Sequence, residues 1–130
     1  MTEPQDALTP VQIESKLRQL VNDLGRARTS LRQARDIELR KKTDWERARR
    51  RLLLSGDCPP MTGPGSVSAA ERDAWVDDQI DDLALAYQVA KVARESAQEH
   101  MRTLKEQAEL VRSLGASVRQ AYELSGRGET

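Results

Sequence analysis

Apolar or small residues recur at alternating steps of four and three along two stretches of the chain, Ile13 to Leu52 and Val76 to Tyr122. That spacing marks one face of a long helix packed against another helix. Residues 55–67 lie between the stretches and hold three prolines and three glycines, a composition that breaks helices. The pattern predicts an all-α fold: a long antiparallel two-helix hairpin, coiled-coil-like and completed by self-association. The whole chain, residues 1–130, reads as a single helical domain, with helix one at about 10–54, the Pro/Gly-rich loop at about 55–67 and helix two at about 68–124.

The seam of helix one reads Ile13, Leu17, Leu20, Leu24, Ala27, Leu31 and Ala34, and resumes at Trp45, Ala48 and Leu52. Glu38 and Lys41 interrupt it, and Ile37 would cover the gap if the face drifted at the ordinary 3.6-residue period. Helix two carries Val76, Ile80, Leu83, Tyr87 and Ala90, then Arg94 as an exception, then Ala97, Met101, Leu104, Ala108, Val111, Gly115, Val118 and Tyr122. A hairpin would bring Trp75 near Trp45. Gly25 lies beside the first seam, where it would allow a close approach.

The ends of the helices have local signals. Thr9, Pro10 and Gln12 form a start with a capping box, and Ser68 with Glu71 forms a second. Asp73 favours the positive end of helix two. Gly56 is a natural stop for helix one, and Ser125, Gly126 and Gly128 end helix two. At ~1.5 Å per residue the two helices would run roughly 67 Å and 84 Å, so the last turns of helix two would overhang. Val111, Leu114, Val118 and Tyr122 fall in that overhang and are the candidate protein interface. The first residues of the chain, a second copy or another protein would have to cover them. A hairpin also buries only one face of each helix and is marginal alone at this size.

Composition narrows the functional classes. Phenylalanine is absent, there are two tryptophans and two tyrosines, and 32% of residues are charged, which fits a thin helical layer. No apolar run approaches the roughly 18 residues of a membrane span, and the start of the chain, with Glu3 and Asp6, lacks the regions of a signal peptide. A cytoplasmic location is expected. The single cysteine, Cys58, excludes an internal disulfide framework.

Net charge is zero but segregated. Residues 14–51 hold thirteen basic and six acidic residues, whereas residues 71–82 hold six acidic and one basic. The densest basic run, Arg40, Lys41, Lys42, Arg47, Arg49, Arg50 and Arg51, would lie beside the acidic block, within one chain or between chains. Such attraction favours orientation more than stability.

Candidate chemistry is sparse. His100 stands alone on a helix, and Cys58 sits in the loop without a neighbouring histidine. Asp73, Asp77, Asp78, Asp81 and Asp82 have i,i+4 spacings that can hold a divalent ion, but a solvated face opposite the basic helix explains them better. Gly63, Pro64 and Gly65 make a turn that lacks the lysine and hydroxyl residue of a phosphate loop. No catalytic, cofactor-binding or metal-binding residue is assigned, and neither an enzyme nor a small-molecule substrate is expected. Arg26, Arg28, Arg32 and Arg35 lie away from the acidic block and are the candidate contacts if nucleic acid is a partner. A second protein is the other expected partner.

The tryptophan–any–glycine turn of the small hairpin secretion proteins of actinobacteria is absent: Trp45 is followed by Glu46 and Arg47, and Trp75 by Val76 and Asp77. Three stretches carry a different resemblance: residues 53–56 (Leu-Leu-Ser-Gly), residues 70–77 (Ala-Glu-Arg-Asp-Ala-Trp-Val-Asp), and residues 117–122 (Ser-Val-Arg-Gln-Ala-Tyr) with Gly126 and Arg127. In these and in its layout the chain resembles small uncharacterised helical-hairpin proteins of actinobacterial phages or prophages, some encoded near recombination functions. The resemblance implies an accessory of phage DNA recombination or replication acting through protein contacts, and assigns no catalytic residue. The expected function is therefore protein binding or scaffolding. The alternatives are nucleic-acid binding through the basic face of helix one, and inhibition of a host defence or regulatory protein through the acidic cluster.

Overall fold

The computed structural model describes residues 8–127. Within them the chain is all-α, with α1 at Pro10–Leu53, α2 at Ala69–Gln79 and α3 at Asp81–Arg127. The expected second helix is thus two helices, divided at Ile80 (φ −124°, ψ 27°). The reason lies in the aspartates. Continuous helix would keep like charges stacked at Asp77/Asp81 and Asp78/Asp82, which is unfavourable. A break turns Asp81 and Asp82 into the first turn of α3, where carboxylates complement the positive helix end. The Ile80 carbonyl accepts from the Ala84 amide at 3.0 Å, so α3 starts at once, and the Ile80 side chain stays buried.

Helix starts follow the capping logic. The Thr9 amide donates to Gln12 Oε1 at 2.9 Å and the Gln12 amide to Thr9 Oγ1 at 3.2 Å, a complete reciprocal box. At α2 only one arm forms, from the Glu71 amide to Ser68 Oγ at 3.2 Å. α1 does not end on a left-handed Gly56. Instead Ser55 closes it, its hydroxyl and amide both donating to the Leu52 carbonyl, at 2.7 and 3.1 Å. The left-handed residues are Gly63 and Gly65 (φ 88° and 75°), where the chain turns back so that the Val67 amide reaches the Pro60 carbonyl at 2.9 Å. The readings placed on Glu3, Asp6 and Gly128 lie outside the described residues.

The residues group into two compact units, one of residues up to Ser30 with those from Gln98 onward, the other Leu31–Ala97. In the first, Leu20, Ala27, Leu104 and Ala108 form a buried cluster, with Leu24, Met101 and Val111 packed against it. All seven are seam residues. Buried leucines such as Leu20 and Leu104 contribute ~1.5–3 kcal/mol each, and the alanines let the helices approach. At Gly115 an added Cβ would stand 3.1 Å from Ile13 Cγ2. Gly25, by contrast, is exposed and nothing lies within 4 Å of its Cβ position, so the close approach expected there occurs at Gly115 instead.

The second unit holds the other half of the long helices, with the loop and α2. Val76 is its most deeply buried side chain, and Leu31, Ile80 and Ala90 are also buried. α1 and α3 are antiparallel here, since Glu38 meets Arg94 while Trp45 meets Tyr87. The Trp45 and Tyr87 rings are tilted by 50° at 5.9 Å, so the partner of Trp45 is Tyr87 rather than Trp75. The Trp45 indole Nε1 is buried without an acceptor. Ile37 does not cover the gap in the seam: it is 45% exposed, whereas Glu38 and Lys41 are half-buried.

Candidate interaction surfaces

Arg94, the exception in the second seam, faces Glu38, an exception in the first. Its Nε donates to Glu38 Oε2 at 2.6 Å and its Nη2 to Oε1 at 3.3 Å. Both side chains are largely shielded from solvent. The hydrogen bonds from Arg94 hold the Glu38 carboxyl below its ordinary pKa, outweighing the upward push of burial. The same bonds raise the Arg94 guanidinium. A two-point pairing of this kind aligns α1 with α3 in this unit.

The charge blocks meet through one residue. Arg49 donates to Asp73 Oδ1 at 3.2 Å and to Asp77 Oδ1 at 3.4 Å, which ties α1 to α2 within the chain. Asp78, Asp81 and Asp82 form no ion pair among the described residues, nor do Arg32, Arg35, Lys42, Arg47 and Arg50. Arg72 anchors the loop, its Nε on Cys58 Sγ (3.2 Å), its Nη1 on Met61 Sδ (3.3 Å) and its Nη2 on the Leu53 carbonyl (3.3 Å). Cys58 is a free, half-buried thiol.

The candidate nucleic-acid contacts divide between the units. Arg26 and Arg28 belong to the first, Arg32 and Arg35 to the second, and all four are exposed. Arg26 lines a shallow cleft of about 330 Å³ with Asp23, Ser30, His100 and Leu104. A second cleft in the same unit, about 360 Å³, lies among Pro10, Ile13, Leu17, Glu14, Arg112 and Arg119. Among the described residues no group of three or more His, Cys, Asp or Glu side chains is placed to hold a metal ion. No described helix is long and apolar enough to cross a membrane.

The four candidate interface residues differ in setting. Val111 packs against the buried cluster of its own unit, which removes it from an overhang. Val118 is half-buried, while Leu114 is 49% and Tyr122 58% exposed. A second row escaped the sequence reading. Leu85, Val89 and Val92, at steps of four and three on α3, are each more than 60% exposed. Their row lies two positions on from the seam residues Leu83, Tyr87 and Ala90, a spacing visible in the sequence once rows other than the seam are followed.

No family model, curated protein or solved structure matches the chain.

Proposed function

We propose that the protein is a non-enzymatic helical hairpin, coiled-coil-like, that self-associates and binds a second protein. The observation that carries this reading is the one-sided burial of the long helices. The seam holds the buried apolar residues, and large apolar side chains remain exposed off it, among them Val21, Leu85, Val89, Val92, Leu110 and Leu114. Exposed apolar rows framed by polar residues characterise protein contacts. The strict seven-residue recurrence of the seam supports the coiled-coil character. Leu114, Val118 and Tyr122 are the residues of the proposed self-association surface, with Val111 supporting them from within the unit. A role beside phage DNA recombination or replication rests on the resemblance of three stretches alone.

Light scattering across a concentration series tests self-association. A larger species that dissociates on dilution is expected, and weakens when Leu114, Val118 and Tyr122 are replaced by serine. A monomer at every concentration overturns it.

A second reading, nucleic-acid binding, draws on Arg26, Arg28, Arg32 and Arg35, each exposed and without an ion pair among the described residues. It requires binding of DNA that falls steeply with added salt, and absence of binding at low salt removes it.

A further inference from the structure

We infer that the outward face of α3 in the second unit is a docking row for a basic amphipathic helix of another protein. This rests on the protein-binding reading and names its surface and the chemistry of its partner. The row is Leu85, Val89 and Val92, exposed at 63%, 62% and 63%. Side chains at steps of four and three form the ridge that a second helix takes into its groove. Acidic residues flank it on α3: Asp81 and Asp82 before it and Glu95 after it, all exposed. None of these forms an ion pair among the described residues. The face therefore offers apolar contact inside a negative rim, and its complement is an apolar row flanked by lysine or arginine. Anionic surfaces such as nucleic acid are repelled by the same rim.

Among the described residues, neither the chain's own α1 nor the basic α1 face or the α3 face of a second copy supplies that complement. Two residues along a helix turn the direction by roughly 200°, so the row faces away from the seam and from the chain's own α1. The basic face of α1 in a second copy brings one exposed leucine, Leu39, among Arg32, Arg35 and Lys42, and so offers charge without an apolar row. The α3 face of a second copy brings the same acidic rim and repels.

The test is titration of a synthetic amphipathic helical peptide, with a leucine row flanked by lysines, into the full chain, followed by fluorescence anisotropy. Binding is expected to weaken by about tenfold or more in Val89→Glu and in the Asp81→Asn/Asp82→Asn variant, and circular dichroism checks that both remain helical. A peptide of the same composition with its leucine row scrambled should bind more weakly. No binding, equal binding of the scrambled peptide, or unchanged binding in Val89→Glu overturns the inference. So does a result in which Val89→Glu converts a self-associated species to monomer, because the occupant is then a second copy. Light scattering of the unmodified protein separates this from the self-association reading, which fails only if that protein is monomeric throughout.

Discussion

The Arg94 guanidinium meets the Glu38 carboxylate at 2.6 Å, and each residue is a charged exception in an otherwise apolar seam. Two apparent faults in the pattern are one interaction. Removing one partner leaves the other charge shielded and uncompensated, whereas replacing both by apolar residues of similar size removes the cost as well as the attraction. Glu38→Met and Arg94→Met should each lower the thermal midpoint, and the double variant Glu38→Met/Arg94→Met should recover part or all of the loss. Calorimetry of the four proteins measures the coupling.

The same pair predicts a pH dependence. Glu38 has a lowered pKa in the folded chain, so the unfolded state binds a proton at higher pH than the folded state does. Its contribution is fully present above the ordinary glutamate pKa of ~4.3 and fades as pH falls through the lowered value. Glu38→Gln should flatten that part of the stability profile and leave the region near neutrality parallel to the parent.

Gly25 and Gly115 should respond oppositely to larger side chains. At Gly25 an added methyl group meets nothing, and Gly25→Ala is expected to stabilise by up to ~1 kcal/mol through helix propensity. At Gly115 the new Cβ meets Ile13 Cγ2 at 3.1 Å, and Gly115→Leu is expected to destabilise by ~1–3 kcal/mol through overpacking. Ile13→Ala should relieve part of the second effect. Urea unfolding of the variants checks both.

Ser68 is the cap of α2, and its hydroxyl takes the Glu71 amide. Ser68→Ala should cost ~1 kcal/mol. Thr9→Ala should cost a similar amount at the start of α1, while Glu71→Ala should cost less than Gln12→Ala, because only the box at Thr9 is reciprocal.

Arg72 holds three points of the loop region, at Cys58, Met61 and Leu53. Arg72→Ala should speed proteolytic cleavage within residues 55–67 and hasten thiol labelling of Cys58, with far-ultraviolet dichroism little changed. A labelling rate equal to that of the parent argues against the anchor.

Much of this was legible in the chain. The seam residues Ile13, Leu20, Ala27, Leu31, Val76, Ile80, Ala90, Leu104 and Ala108 are the buried apolar set, because apolar period and helix period agree over many turns. Both caps could be read because their hydrogen bonds are local. What escaped had a non-local or competing cause. The break at Ile80 needs repulsion among Asp77, Asp78, Asp81 and Asp82 to be set against an unbroken seam. Ile37 would cover the gap only if the face drifted, and what keeps Glu38 on the seam is a partner 56 residues on. The Leu85–Val89–Val92 row has the same spacing as the seam, and only the fold tells which row is covered. Val111 shows the reverse, since the expected overhang counted helix lengths and not the contact of Ile13 with Gly115.

The seven-residue recurrence through Leu31, Glu38, Trp45 and Leu52 also governs how such a chain can change over generations. A single deletion between Leu31 and Glu38 would turn Leu31 and the residues before it by about 100° relative to Glu38 and Trp45, so the two stretches could no longer share one seam. A loss or gain of seven residues there keeps the face and leaves Glu38 on Arg94, but moves Ile13 away from Gly115 unless α3 changes by the same length beyond Arg94. Related chains should therefore vary in length by matched heptads in α1 and α3, and by any number of residues between Gly63 and Gly65.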